Sequence, residues 1–178
     1  MLLSAINAAA QSAVEDYSVY TEHPRLLLQA RRLRLLKRER ERQSPRWTHF
    51  ETLMRGKAQM PEAAFAGALY AAIAGDAEAA RTAIGTALRP GTDIRQVALT
   101  LDWCEATLTE SQRAQLRSRL ERSLKDPVTT FAGARDRGFA AIVLGDAPAI
   151  RQLTEGWWRA TTAPALRSGL RSIEHADV

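Results

Sequence analysis

The amino-acid sequence predicts an all-α protein built of antiparallel helical hairpins, and three observations predict it. Alanine, leucine and arginine dominate while aromatics make up only 6% of the 178 residues, and such side chains lose little rotamer freedom in a helix. Apolar residues recur at steps of three and four along most of the chain, the period of a helix face turned to a core. Helix-start and helix-stop residues punctuate these stretches at Ser44-Pro45, Gly75-Asp76, Thr109, Asp126-Pro127 and Gly145-Asp146.

After an irregular segment through Arg25, Gln29 to Arg42 reads as a surface helix, with Leu33 and Leu36 on one side and basic groups elsewhere. Ser44 caps a second helix that has Pro45 at its first position, where the missing N–H costs nothing, and Trp47, Phe50, Leu53 and Met54 follow at helical spacing as far as about Gly56. Pro61 is expected to open a third helix. From Ala63 to Ala74 nearly every residue is apolar, so this helix should be buried on most sides. Gly75 ends it and Asp76 caps the next, with Ala80, Ala83, Ile84 and Ala87 on one face, which makes a tight hairpin.

Ile94, Val97, Ala98, Leu101, Cys104 and Leu108 form the stripe of a further helix, and Thr109 with Gln112 forms a capping box for the one after it. That helix starts with Glu110, carries Leu116, Leu120 and Leu124 on one stripe, and ends among Arg117, Arg119, Arg122 and Lys125, whose charge suits a helix C-terminus. Asp126-Pro127 breaks it. A largely apolar helix follows from about Thr129 to Leu144, then a last one through Trp157 and Trp158. Ala141 to Arg151 echoes Ala71 to Arg81, including the Gly-Asp turn, so helix pairs are expected to repeat. Alternating all-round apolar and amphipathic helices is what layered helical arrays require.

The composition bounds function loosely. A charge of +5 allows acidic partners, yet 25% charged residues of both signs is an ordinary surface. One cysteine, Cys104, excludes an intrachain disulfide and a cysteine-rich zinc site, and its place on an apolar stripe reads as an inert core thiol. The longest apolar run is shorter than the roughly 20 residues that span a hydrocarbon layer, so no membrane span is expected. Residues 1–20 read as a flexible N-terminus or the remnant of a signal peptide, and 21–178 as one helical domain. The signal-peptide reading places the protein in the periplasm or outside the cell, and the other in the cytoplasm.

Candidate binding residues are Arg135, Asp136 and Arg137, a polar trio between Phe131 and Phe139 in an apolar helix, together with Trp157 and Trp158. Alanines four residues on either side of Asp136 leave it no partner at that helical spacing, so its partner is expected elsewhere. Arg135 or Arg137 could hold a sugar carboxylate through two parallel hydrogen bonds, and the structural reading of the trio is an interhelical salt bridge. The tryptophan pair could stack on a sugar ring, against a core-packing role for the same side chains and for Trp47 and Trp103. His23, His49 and His175 lack metal-site spacing, and neither a metal nor a cofactor is expected. The basic run from Arg31 to Arg42 is interrupted by Glu39 and Glu41, and without a phosphate loop or aromatic RNA-binding motif it reads as a solvated face, which disfavours nucleic acid as a partner.

Two stretches carry a resemblance: Tyr20-Thr21-Glu22-His23-Pro24-Arg25-Leu26-Leu27-Leu28, and Asp102-Trp103 followed by Leu108-Thr109-Glu110-Ser111-Gln112-Arg113. Together they resemble the start of the helical domain of heparinase II/III-like polysaccharide lyases, from about Tyr20 to Leu124. The resemblance implies part of an incomplete α/α toroid and a chemistry of β-elimination on acidic polysaccharides, in which a base removes the proton beside a uronate carboxylate and a neutralising group stabilises the enolate. It implies an acidic polysaccharide as partner and the remainder of a larger protein as a second one. Arg135, Asp136 and Arg137 stand where that family would place an asparagine or histidine, so no catalytic residue carries over and the catalytic machinery is expected to be incomplete. The other class of function open to the sequence is a self-contained helical-repeat module that binds a protein or a polyanion.

Overall fold

The computed structural model describes residues 17–174; the expectation of a signal-peptide remnant falls largely on residues 1–16, outside them. The described residues are helical and contain no strand. The helices are α1 (Ala30–Glu41), α2 (Pro45–Arg55), α3 (Ala63–Ala74), α4 (Ala77–Ala87), α5 (Ile94–Trp103), α6 (Glu110–Ser123), α7 (Phe131–Leu144), the short α8 (Ala147–Arg151) and α9 (Ala163–Glu174). A 3-10 turn at Glu105–Thr107 joins α5 to α6, and a wide π-helical segment, Gln152–Thr162, joins α8 to α9.

The predicted caps form as bonds. The Ser44 hydroxyl accepts from the Trp47 amide, Asp76 from Glu78 and Ala79, Asp146 from Ala149, and Thr109 with Gln112 closes a reciprocal box, so the exposed amides of four helix starts are satisfied by side chains. Gly75 and Gly145 adopt the same left-handed conformation, φ 72° and ψ 28°, and each sits just before an aspartate cap. The α3–α4 and α7–α8 hairpins therefore turn in one way, as the sequence echo suggests. Two helix ends differ from expectation. The third helix starts at Ala63, not at Pro61, because Glu62 occupies the cap and gives its carboxylate to Arg95 on α5. The stripe running through Cys104 to Leu108 is not one helix: α5 stops at Trp103 and the chain tightens into the 3-10 turn, where the carboxylate of Glu105 pairs with Arg113.

The core lies where α3, α4, α5, α6 and α7 meet, around Ile84, Val97, Leu99, Leu116, Leu120 and Val143. α5 is more enclosed than a one-stripe helix: all six residues from Val97 to Asp102 are buried, since α3, α4, α6 and α7 surround it. α3 is buried nearly all round, as its composition demands. α1 and α2 cover its outer side through a second cluster, in which Trp47 stacks on Tyr70 at 5.7 Å and Ile73 packs alongside. Arg119 on α6 ties the end of α4 to the next loop by donating to the carbonyls of Ala87, Arg89 and Thr92, of which the Ala87 carbonyl is one that the helix end leaves without an intrahelical partner.

α3 and α4 approach so closely at Gly67 that a Cβ there would lie 3.1 Å from the Ala83 Cβ, whereas a Cβ at Gly85 would meet nothing within 4 Å. Gly67→Ala is expected to lower unfolding stability by roughly 1–3 kcal/mol through overpacking. Gly85→Ala is expected to raise it by about 0.5–1 kcal/mol by reducing the entropy lost on folding. Denaturant titration of the two variants checks the opposite signs.

Candidate functional site

The two stretches singled out in the sequence meet at one buried carboxylate. Asp102, 1% exposed at the end of α5, accepts from His23 Nδ1 at 2.6 Å and from the Arg25 amide at 2.9 Å on Oδ1, and from the Leu26 amide at 2.8 Å on Oδ2. Its neighbour Trp103 donates its indole N–H to the Leu26 carbonyl at 2.9 Å and packs on Phe65. A buried carboxylate is stable only when its lone pairs find donors, and here the entry segment provides three. Leu26 and Leu28 turn into the core on either side of Leu27, whose φ of 54° leaves it facing outward. Arg25 completes the clasp by donating to the Val143 carbonyl at 2.7 Å near the end of α7 and to Thr21 at 3.0 Å. The entry segment thus straps α5 to α7. A carboxylate only accepts, so the Nδ1 of His23 carries the proton, which leaves Nε2 as the acceptor while the ring is neutral.

The binding candidates come together in part. Arg135, Trp157 and Trp158, with Phe131, Ala134, Leu153 and Thr154, line an open groove of about 350 Å³ between α7 and the π-helical segment. Phe131 meets Trp157 edge to face at 5.3 Å, and the two indoles lie 6.3 Å apart. Phe131 and Trp158 are 60% and 43% exposed, so these rings form an open aromatic wall rather than a core. A Cβ at Gly138 would lie 3.4 Å from the Leu153 side chain, an ordinary contact distance, so the segment packs directly on α7 there.

Asp136 and Arg137 do not line the groove. Arg135 Nε donates to Asp136 Oδ1 at 2.8 Å, so the partner of Asp136 is its own neighbour on the helix and not another element, because the long arginine side chain folds back over it. Arg135 Nη2 reaches Asp93 at the cap of α5, 3.2 Å away, which supplies the interhelical bridge. The hydrogen bond to Asp136, with Asp93 and Glu62 nearby, raises the guanidinium above the ordinary arginine range. Nη1 has no protein partner among the described residues. Arg137 donates to the Leu124 and Asp126 carbonyls, holding the end of α6 against α7.

Trp47 and Trp103 are packing residues, and His49 is exposed on α2. Phe131, Leu153, Thr154 and Asp93 belong to the groove or its rim and were not among the sequence candidates; a helical step of four from Phe131 to Arg135 was the available signal. Among the described residues no three histidine, cysteine or acidic side chains gather as metal ligands, and no helix is long and apolar enough to cross a membrane. No family model, curated protein or solved structure matches this chain.

Asp102→Asn keeps the shape but removes the charge that three donors share, and is expected to cost roughly 1.5–3 kcal/mol in denaturant unfolding. A change of a few tenths would show that the clasp is incidental. Burial pushes the Cys104 thiol up to about 12. An unfolded thiol ionises near 8.5, so between that value and about 12 the unfolded state binds fewer protons and stability is expected to fall as pH rises. Alkylation at pH 8 should accordingly be slow in the folded protein and fast in denaturant; equal rates would contradict the buried thiol.

Proposed function

We propose that this chain is the N-terminal helical portion of a heparinase II/III-like polysaccharide lyase, its hairpins an arc of an α/α toroid, without complete catalytic machinery of its own. The observation that carries this reading is the clasp. The His-Pro-Arg-Leu entry and the Asp-Trp pair are the two parts of the resemblance, and they act on each other through Asp102, His23, Arg25 and Leu26 as parts of one structural device would. The repeated Gly-Asp hairpin turn supports an array.

The groove is the proposed saccharide contact. A pyranose ring has apolar faces that stack on aromatic rings and a polar edge that seeks hydrogen bonds. Trp157 and Trp158 offer the first, Thr154 and the Nη1 of Arg135 the second. Asp93 and Asp136 lie beside the guanidinium, so a uronate carboxylate would have to bind at Nη1 while both acidic neighbours remain. The groove therefore suits contact with one sugar of a chain rather than strong capture of its charge.

Titration with short heparan sulfate and alginate oligosaccharides, followed by tryptophan fluorescence, tests the reading, with the ultraviolet absorbance of a new double bond recorded in parallel. Fluorescence is expected to change on binding without absorbance growing. Trp157→Ala should weaken binding about tenfold, the equivalent of ~1.4 kcal/mol. A flat fluorescence response to every uronate oligosaccharide would remove the substrate reading, and growing absorbance would contradict the incomplete machinery.

A further inference from the structure

Between Arg31 and Arg46 the chain carries eight basic side chains against Glu39 and Glu41, a local excess of six where the whole chain has +5. The rest of the molecule is close to neutral. Elsewhere the arginines are largely used by the protein itself: Arg25, Arg119 and Arg137 hold carbonyls, and Arg95, Arg113 and Arg135 hold carboxylates. Those of α1 behave differently. Arg31, Arg34 and Arg38 are exposed and have no hydrogen bond or ion pair from their side chains among the described residues.

Their spacing makes them a line. At 100° per residue, Arg31, Arg34, Arg38 and Arg42 fall within about 80° of one another, on the side opposite Leu33 and Leu36, which face Trp47 and Tyr70 in the outer core cluster. At ~1.5 Å per residue the line runs roughly 16 Å along the helix. Glu39 and Glu41 flank it on either side rather than interrupt it, and Leu35, 51% exposed, lies at its edge. Three unpaired guanidinium groups in a row on α1, continued by Arg42 at its end, keep their charges close together, and such a concentration of charge complements a partner with repeated negative charge.

We infer that the outer face of α1 is a docking stripe for a linear acidic polysaccharide, separate from the aromatic groove. The choice of polysaccharide rests on the lyase reading and on the chemistry of the stripe. α1 has no aromatic side chain on which a base could stack. Guanidinium groups pair bidentately with carboxylate and sulfate, the charged groups such a polymer repeats. The stripe holds the polymer by charge, and the groove on the other part of the molecule contacts an individual sugar.

The test is binding of a fluorescent heparin oligosaccharide to the full chain by anisotropy across a salt series. Three proteins are compared: the unmodified chain, Arg31→Gln/Arg34→Gln/Arg38→Gln, and Arg81→Gln/Arg89→Gln/Lys125→Gln, which removes equal charge from exposed positions elsewhere. The stripe variant is expected to lose at least tenfold in affinity at low salt, with a log–log salt slope shallower by about one unit per arginine removed. The second variant should lose less than threefold, and thermal unfolding should be unchanged in both, since glutamine and arginine are similar helix formers. Equal losses in both variants, or no heparin binding at low salt, would overturn the stripe. Single-stranded DNA competing as well as heparin per unit charge would overturn the polysaccharide assignment. The groove's fluorescence response is unaffected by any of these outcomes, so a failed stripe leaves the lyase reading to its own test.

Discussion

A single buried carboxylate organises this molecule. Asp102 sits at the end of the most enclosed helix, where a charge without donors would cost several kcal/mol, and the three donors that bond it belong to a segment nearly eighty residues earlier. That requirement fixes the path of residues His23 to Leu26 across the ends of α5 and α7. With the path fixed, Leu26 and Leu28 enter the core, Arg25 reaches the last turn of α7, and α1 begins where Leu33 and Leu36 can cover the outer cluster. Polar bonding sets the register here, and apolar burial then adds to it.

Arginine divides between two uses in the same chain. On α6 and α7, Arg119 and Arg137 close helix ends by donating to carbonyls that would otherwise lack partners, and Arg135 braces α7 against the cap of α5. Burial lowers the Arg119 guanidinium, with nearby Arg122 adding to the effect, which is the electrostatic cost of this structural use. On α1, Arg32 reaches the Leu27 carbonyl, whereas Arg31, Arg34 and Arg38 make no such bond among the described residues. The composition, which gives one net charge for the whole chain, conceals this separation between an interior held by guanidinium bonds and a surface helix that concentrates free charge.

Much of the helical layout was legible in the sequence because it is written in local chemistry. Ser44, Asp76, Thr109 and Asp146 cap helices through bonds to residues two or three positions on, and Gly75 and Gly145 end helices through their own backbone freedom. Non-local effects were not legible. The continued stripe through Cys104 and Leu108 concealed the end of α5, because both residues are buried whether or not one helix connects them. Asp136 appeared to need a distant partner by helical spacing, yet the flexible side chain of Arg135 covers the adjacent position. The groove was half legible: its tryptophans and Arg135 stood out by type, whereas their meeting depends on the π-helical turn after α8, which has no local sequence signal.

The account depends most on the entry segment being held as firmly as the core. Amide hydrogen exchange resolved at Arg25 and Leu26 measures this directly, because in the fold their N–H groups bond only to the buried Asp102 and lie outside any helix. Protection of both amides approaching that of Leu99 in α5 is the expected result. Exchange at the rate of an unstructured peptide, while Leu99 stays protected, would contradict it.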